Sequence, residues 1–352
     1  MFSWSAPQPL HVTRTLPLDR RVYFISDLHL GDGTRSDTFM GKDRDLIGLL
    51  DRVRTEQAHL VIVGDAIDFP QAWSMSRVLR AHSRLIGELS RLADTNGVTY
   101  IWGNHDYDIS LFKDLLRFDV CSSLKMGDRI LVEHGYQYDR HLGADLSTAH
   151  FSTLIHHLAE RVTGQWLRLP LAQFYNPFNR VAFWFFHKAA MLADLQDRFW
   201  TRVGRPDVMA EKKRAIGYWT RNQLGDAAML FDGVCRFLPT ADHLDALVCG
   251  HSHIPGRIQM PDGKLYVNTG SWTFASSQYA VWDGEDFIVR DWISGKVYQD
   301  ELYQGLLRGD TDGQGVLEWW SENYLGWLRY RCGEEGALPP LPSPLVPRST
   351  AK

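Results

Sequence analysis

The sequence is poor in cysteine, and its few cysteines are widely separated. The 352 residues contain four of them, namely Cys121, Cys235, Cys249 and Cys332. None forms a C-x-x-C pair, so the spacing argues against a disulfide framework and against zinc held by thiolates. Reduced thiols are typical of a cytosolic compartment, and we therefore expect a cytoplasmic protein.

The sequence also lacks an apolar run long enough to cross a bilayer. The densest run, Val181–Phe186, is stopped by His187 and Lys188, whereas a membrane-spanning helix needs roughly 20 apolar residues. The first residues, Met1–Pro7, show no basic segment followed by an apolar one, so we expect no secretory signal. These absences predict a protein that is soluble or peripheral at the inner face of a membrane.

The sequence also lacks an excess of positive charge. Lysine and arginine number 38 against 42 aspartates and glutamates, which gives a net charge of -4 at pH 7. Nucleic-acid binding through counterion release requires a basic surface. We therefore expect no nucleic-acid partner.

Between residues 22 and 132, short apolar runs alternate with segments of helical periodicity. This alternation is typical of βαβ units around a parallel sheet. The predicted strands are Val22–Phe24, Leu60–Val63, Val98–Trp102 and Arg129–Val132, and the predicted helices are Gly41–Glu56, Met75–Ala93 and Ile109–Leu116. The pattern predicts an α/β fold.

Strand patterns disappear between residues 136 and 243, where aromatic-rich helical patterns predict a helical insertion. The apolar strand Leu244–Cys249 then returns to the sheet, and four short alternating runs predict an antiparallel half-sheet. Those runs are Arg257–Met260, Leu265–Val267, Tyr279–Trp282 and Phe287–Arg290. The predicted parts are a core at 1–135 and 244–300, the insertion or cap at 136–243, a C-terminal helical segment at 301–335 and a disordered tail at 336–352. Within that tail, Leu345–Ser349 resembles a protease recognition site.

Five polar motifs follow predicted strands. They are Asp27-Leu28-His29, Gly64-Asp65-Ala66-Ile67-Asp68, Gly103-Asn104-His105-Asp106, Glu133-His134-Gly135 and Gly250-His251-Ser252-His253. Each motif alone is weak evidence, because Asp and Asn at a strand end commonly cap turns and a single histidine often belongs to a core. Together they place carboxylates and imidazoles at one edge of a sheet.

Oxygen and imidazole ligands without thiolate suit manganese, iron, zinc, cobalt or nickel. Two such ions need roughly eight protein ligands if each binds about four. The motifs provide seven candidates, one of which can bridge: Asp27, His29, Asp65, Asn104, His134, His251 and His253. The count predicts a two-metal site. We interpret Asp32 and Asp106 as turn caps and leave them out of it.

In order and in spacing, the five motifs resemble those of the calcineurin-like metallophosphoesterase family. The resemblance implies a four-layer α/β/β/α sandwich with both metals at the carboxyl ends of the strands. It implies the following roles: Asp27, His29 and His253 on one ion, Asn104, His134 and His251 on the other, and Asp65 bridging the two. It also implies that His105 faces the scissile phosphate without binding metal, and that Asp68 orients it.

The implied enzyme hydrolyses a phosphoester or pyrophosphate through a metal-bound hydroxide. Its cofactors would be two divalent ions, with manganese first and iron, zinc, cobalt or nickel as alternatives. An imidazolium held by a carboxylate can protonate the leaving oxygen, which is the chemistry expected of His105 and Asp68. The expected partner is a small-molecule or lipid phosphoester.

Two segments resemble one branch of the family, the UDP-2,3-diacylglucosamine hydrolases, which cleave a pyrophosphate in lipid A synthesis. These segments are Glu133–Asp139 and Tyr266–Trp272. Protein phosphatases of the superfamily carry Arg-Gly after the second Asp of the G-D-x-x-D motif, where this chain has Phe69-Pro70. The resemblance implies a nucleotide-linked glycolipid or a related phospholipid as substrate.

Two alternative functions stay open at this point, as does the role of the insertion. The chain could be a phosphodiesterase or nuclease for soluble substrates, such as cyclic nucleotides or DNA ends, or an inactive scaffold of the same fold. Loss of ligands would mark a scaffold, and none is missing from the motifs. The aromatic residues of the insertion predict either the core of a helical subdomain or a cleft for acyl chains at a membrane interface.

Overall fold

The short apolar runs of the sequence form two stacked β-sheets. The computed structural model describes residues 11–33, 37–39, 41–72, 74–113, 116–139, 192–193, 195–205, 208, 227–273, 276–300 and 303–304. The strands among them are β1 (Thr13–Leu16), β2 (Val22–Ile25), β3 (His59–Val63), β4 (Val98–Ile101), β5 (Asp119–Cys121), β6 (Ser123–Met126), β7 (Ile130–Val132), β8 (Ala246–Cys249), β9 (Gly256–Gln259), β10 (Leu265–Asn268), β11 (Gln278–Trp282), β12 (Phe287–Asp291) and β13 (Val297–Tyr298).

The helices flank these sheets. They are α1 (Asp43–Thr55), α2 (Phe69–Ala72), α3 (Met75–Ala81), α4 (Ser83–Thr95) and α5 (Ala227–Phe237), with 3₁₀ turns at Tyr107–Phe112, Tyr136–Tyr138 and Leu238–Thr240. Residues 195–202 are also helical. In α1, acidic residues occupy the first turn and basic residues the last, which complements the helix dipole. Its buried face points at the sheet and stabilises the helix there.

The two sheets differ in strand order and in direction. The first, which we call the β2 sheet, has the order β13-β12-β11-β2-β3-β4-β5, and the second, the β8 sheet, has the order β1-β6-β7-β8-β10-β9. Strands β2 to β5 are parallel, and β11 joins β2 in antiparallel orientation. In the β8 sheet, β7, β8 and β10 are parallel neighbours. Both sheets therefore collect the carboxyl ends of several strands at one edge.

Alternating side chains give each sheet two buried faces, as the two-residue period of a strand requires. Between the sheets lie Val22, Phe24, Val61, Val63, Leu124, Val132 and Val248. The other face of the β2 sheet packs on α1 and α4 through Tyr23, Ile25, Leu60, Ile62, Leu46, Leu50 and Leu85. The other face of the β8 sheet packs on α5 through Leu131, Leu247, Leu230 and Val234. The predicted four-layer α/β/β/α architecture is confirmed.

Two predictions about the elements are wrong. The segment Met75–Ala93 forms two helices instead of one, because the backbone leaves the helical region at His82, whose ring is held by Asp37 and Asp43. The four runs after β8 do not form one antiparallel half-sheet. The first two become β9 and β10, and the parallel pairing of β10 with β8 places them in the β8 sheet, whereas β11 and β12 extend the β2 sheet.

Most of the predicted insertion lies outside the described residues, as do nearly all of the C-terminal segment and the whole tail. The described parts of the insertion are helical at 195–202 and in α5. Among the residues that the structure describes, no helix has the length and apolar composition needed to span a membrane.

Candidate metal centre

The carboxyl ends of five parallel strands bring the polar motifs together. The residues just beyond β2, β3, β4, β7 and β8 include Asp27, Asp65, Asn104, His134 and His251, respectively. Within the β2 sheet, Asp27 N donates to Gly64 O at 3.0 Å. Between the sheets, His134 Nδ1 lies 2.8 Å from Val63 O, which accepts the ring N–H. These contacts fix the loops of both sheets at a common edge.

Asp27, His29 and His253 form the first group of donor atoms. His253 Nε2 lies 3.1 Å from Asp27 Oδ1 and 3.3 Å from His29 Nε2. All three donors lie within 4.8 Å of one another. The geometry is that of side chains around one small cation.

Asp65 lies between this group and a second one. Its Oδ2 is 3.7 Å from His29 Nε2 and 3.3 Å from His134 Nε2. Asn104 Oδ1 lies 3.2 Å from the same His134 nitrogen. One carboxylate oxygen therefore faces imidazoles on both sides, which is the position that a bridging ligand needs.

His251 stands slightly apart from these groups. Its backbone N–H donates to Asp27 Oδ2 at 2.9 Å, and its ring meets that of His134 edge-on with centroids 5.2 Å apart. Its Nε2 lies 3.2 Å from Asp139 Oδ2. The structure thus brings all seven predicted ligands to one edge, with His251 held beside a carboxylate that we did not predict.

The backbone is strained where the predicted ligands lie. Among the described residues, six other than glycine have a positive φ, and five of them are Asp27 at 51°, His29 at 47°, Asp65 at 51°, His251 at 65° and His253 at 59°. Such conformations are unfavourable for residues with a Cβ and persist where the surroundings impose them, often at functional sites. These backbone conformations accompany the convergence of the five side chains on the metal edge.

Unsatisfied buried atoms indicate what this edge is built to hold. Asp27 Oδ1, His29 Nδ1 and His253 Nδ1 are buried and make no hydrogen bond of good geometry, although His253 Nε2 lies 3.1 Å from the first atom and Asp68 Oδ2 lies 3.4 Å from the second. Burying unpaired polar atoms costs free energy, so a cluster of them calls for a partner that the protein itself does not provide. Carboxylate, amide and imidazole donors without thiolate fit first-row divalent cations. The residues present therefore fit a metal pair.

Electrostatics keep the carboxylates of the cluster ionised. Burial raises the pKa of Asp27, but the attraction of His253 outweighs it and holds that pKa well below its ordinary value. Burial also raises the pKa of Asp65, and His134 more than reverses the shift. In turn, burial lowers the pKa of His134, but Asp65 raises it to about 10. An ion that binds His134 must displace this proton, as ligand binding by histidine requires.

His105 and Asp68 form a pair at the rim of the cluster. His105 Nδ1 lies 3.0 Å from Asp68 Oδ1, and its backbone N–H donates to Asp65 Oδ1 at 2.8 Å. The side chain of His105 is 30 % exposed, against 2 % for His29. A substrate can therefore reach the ring of His105. Burial lowers its pKa, which makes the neutral ring the resting form.

The family model for the calcineurin-like phosphoesterases matches residues 20–255. The chain belongs to that family. It is a phosphoester hydrolase, and the family implies divalent metal ions, for which the groups above provide candidate ligands.

Among solved structures, a dimetal phosphatase from Danio rerio is similar at 14 % sequence identity, with a TM-score of 0.39, over 78 % of this chain and 96 % of that one. This likeness is weak, and no conclusion depends on it. No match was found among curated protein sequences.

Asp106, which we predicted as a turn cap, has a structural role that reaches across two loops. Its buried carboxylate accepts hydrogen bonds from Ala66 N at 2.7 Å, Gly103 N at 2.6 Å and Tyr100 Oη at 2.6 Å. It thereby holds the loop that carries Asp65 against the loop after β4. Its place directly after Asn104 and His105 was the available signal.

The glycines of the family motifs lie where any larger residue would clash with a ligand side chain. A Cβ at Gly64 would collide with the ring of His134, and one at Gly250 would lie 2.5 Å from Asp27 Oδ2. A Cβ at Gly103 would collide with the Asp65 carboxylate. Each glycine therefore leaves space that a ligand side chain occupies.

The segment Tyr266–Trp272 supports the loop of His251. Asn268 Nδ2 donates to Gly250 O at 2.7 Å and to Ser252 Oγ at 3.0 Å. Thr269 Oγ1 lies 2.6 Å from Ser26 Oγ, one residue before Asp27. These buried polar contacts tie the end of β10 to the ends of β8 and β2.

Proposed function

We propose that the chain hydrolyses a phosphoester or pyrophosphate bond at a pair of divalent ions. The proposed ligands are Asp27, His29 and His253 for one ion, Asn104, His134 and His251 for the other, and Asp65 for both. The observation that carries this proposal is the position of Asp65 Oδ2, 3.7 Å from His29 Nε2 and 3.3 Å from His134 Nε2. Manganese is our first choice, with iron, zinc, cobalt and nickel as alternatives, because the donors include no thiolate.

The ions, when bound, polarise the phosphoryl group and activate water for attack. The chain's own residues then have separate tasks. Asp65 would place a negative charge between the ions and Asp27 one beside the first ion, and these charges would offset the mutual repulsion of the ions. Asp106 keeps the two carboxyl-terminal loops of β3 and β4 in register through its hydrogen bonds to Ala66 and Gly103.

His105 exchanges a proton with the substrate in this proposal. Asp68 accepts a hydrogen bond from Nδ1–H of His105, which leaves Nε2 as the nitrogen that meets a substrate oxygen. Because the ring is partly exposed at the rim, it can take up a proton from solvent and then donate it to the oxygen of the leaving group. Asp68 stabilises the imidazolium that exists between these two steps.

For the substrate, we propose a UDP-2,3-diacylglucosamine-like nucleotide glycolipid or a related phospholipid. The support is the similarity of two segments, Glu133–Asp139 and Tyr266–Trp272, to the enzymes of that branch, and the absence of the Arg-Gly pair after Asp68. Both segments lie at the centre, because one follows β7 and the other supports the His251 loop. An acylated substrate would bring the protein to a membrane surface as a peripheral enzyme.

The decisive experiment compares two substrates that differ only in their acyl chains. The manganese-loaded protein is assayed with a UDP-linked diacyl sugar and with the same UDP sugar without acyl groups, and Asp65→Asn is the control for contaminating activity. We expect the higher kcat/KM for the acylated compound, since remote binding energy is used in the transition state. Equal values, with hydrolysis of a simple diester, would favour a phosphodiesterase for soluble substrates. A protein that binds two ions and cleaves none of the three would be an inactive scaffold.

A further inference from the structure

A buried carboxylate lies beside His251. Asp139 ends the 3₁₀ turn Tyr136–Tyr138, is only 2 % exposed, and has Oδ2 3.2 Å from His251 Nε2. Neither Asp139 nor His251 belongs to the three groups of donor atoms found among the described residues. Because the Asp139 carboxylate contacts the ring of a proposed ligand, it can orient that ring.

The turn that carries Asp139 is held from several sides. Asp139 N donates to Tyr136 O at 3.1 Å, and Tyr138 Oη donates to Glu133 Oε2 at 2.5 Å. The ring of Tyr138 packs on Phe237 of α5 at 4.9 Å between centroids. This packing fixes the carboxylate of Asp139 relative to β7 and α5, and hence relative to the metal edge.

A neutral imidazole carries one N–H and one free lone pair, and the partner of one nitrogen decides which nitrogen is left for a metal. For His134, the acceptor Val63 O lies 2.8 Å from Nδ1, so Nε2 is left. For His251, the acceptor is Asp139, and it lies at Nε2. For the same reason, Nδ1 of His251 is the nitrogen left for a metal.

The two proposed ions differ in this respect. His134 and His251, assigned to the same ion, each have an outer acceptor on one ring nitrogen. Of the histidines assigned to the other ion, His29 has Nδ1 3.4 Å from Asp68 Oδ2, and His253 Nδ1 makes no hydrogen bond. Asp139 contacts a histidine of the first ion, so its loss should affect that ion and spare the other.

We propose that Asp139 is a positioning residue for His251, which sets its tautomer and ring orientation so that Nδ1 binds the ion shared with Asn104 and His134. This inference rests on the proposed metal pair. Carboxylates that hold a ligating histidine typically contribute about 10–100-fold to metal affinity. Asp139 does not touch the substrate in this role.

The test measures the binding of Mn²⁺ alone, by equilibrium dialysis and calorimetry, to the whole protein and to three variants. Asp139→Ala should weaken one of two ions about 10–100-fold and leave the other unchanged. Asp139→Asn, which removes the charge and lets the amide N–H turn toward the ring, should weaken the same ion. Asp242→Asn, at an exposed aspartate, is the matched control and should change neither.

A second readout uses the metal-free protein and does not depend on binding. Nitrogen-15 NMR of labelled histidine should show the His251 proton on Nε2 in the native protein, and Asp139→Asn should shift the tautomer toward Nδ1–H. If Asp139→Ala does not fold, Asp139→Asn alone decides. Unchanged affinity for both ions, an equal loss of both, or an unchanged tautomer in Asp139→Asn would overturn the inference. If the native protein itself fails to bind two ions, the proposed metal pair is wrong instead.

Discussion

Two buried clusters in this protein combine histidine with aspartate, and they differ in how completely their atoms are satisfied. At the metal edge, Asp27 Oδ1 and the Nδ1 atoms of His29 and His253 are buried without a hydrogen bond of good geometry. In the helical layer beside the β2 sheet, His82 has Nε2 2.9 Å from Asp37 Oδ2 and Nδ1 2.9 Å from Asp43 Oδ1. The second cluster is complete within the protein, whereas the first one is not.

The backbone conformation also distinguishes the two clusters. His82 has a φ of -120°, and the carboxylate of Asp37 also accepts the backbone N–H groups of Gly33 and Phe39. Five proposed ligands at the metal edge have positive φ instead. Residue types alone would not distinguish the two clusters, because both combine histidines with aspartates. Unsatisfied atoms and strained backbone are therefore what distinguish a site built for a ligand from a structural ion pair.

The largest effect that would test this contrast is expected at Asp65. Asp65→Asn should remove activity and lower the occupancy of both ions, because a neutral amide at the bridging position cannot offset two dications. Elemental analysis of the purified protein, together with an assay on a simple diester, measures both effects. Two bound ions with near-native turnover would show that Asp65 does not bridge.

The next effect separates chemistry from metal binding inside the same cluster. His105→Ala should retain both ions and lose about 10²–10⁴-fold in kcat, which is the usual contribution of general acid–base catalysis. Asp68→Asn should lose less, because the ring remains but is no longer held. His105 also lies within 4.8 Å of donors on His29 and Asp65. Loss of an ion from His105→Ala would therefore make it a ligand.

The complete cluster at His82 should affect stability and leave metal binding unchanged. Burial lowers the pKa of His82, but hydrogen bonds to Asp37 and Asp43 outweigh it and raise the pKa to about 9. Because the folded pKa lies above the unfolded value, the charged ring adds stability that is fully present below about pH 6.5 and is lost as the pH rises through 9. This contribution is at most about 3 kcal/mol.

Urea unfolding of His82→Gln against pH measures this contribution. The variant should be less stable than the native protein at pH 6, and the difference should close above pH 9. Affinity for Mn²⁺ should stay native, and His243→Gln, at an exposed histidine, is the control. A stability difference that is constant across this range would mean that the charge of His82 contributes nothing.

The sequence predicted what depends on local patterns. Short apolar runs ending in G-D, G-N-H or G-H located the strand ends and the polar residues beyond them, and the four-layer fold followed from the family resemblance. The sequence did not predict contacts between residues that are far apart along the chain. Asp139 lies 112 positions from His251, and nothing local distinguishes it from a cap. The helix break at His82 likewise depends on Asp37, 45 positions away.

The split of the last four strands between two sheets was missed for a similar reason. Runs of alternating residues predict strands but not their partners, and β10 pairs in parallel with β8, which lies outside the four runs. The assignment of ligands to each ion, and the cap role of the insertion, stay predictions.

The smallest expected effect is that of an alanine at Gly87 in the helical layer, and the same change at Gly64 in the metal edge provides the contrast. Gly87 lies within α4, and a Cβ there would meet nothing within 4 Å, so Gly87→Ala should raise the free energy of unfolding by roughly 0.5–1 kcal/mol through helix propensity. Gly64→Ala adds the same atom at a φ of +82°, where it collides with the ring of His134, and should displace that ligand. Chemical denaturation and Mn²⁺ affinity of both variants decide the matter. Native metal binding by Gly64→Ala would mean that the His134 ring is free to move, and that the strained edge is not required to hold the ions.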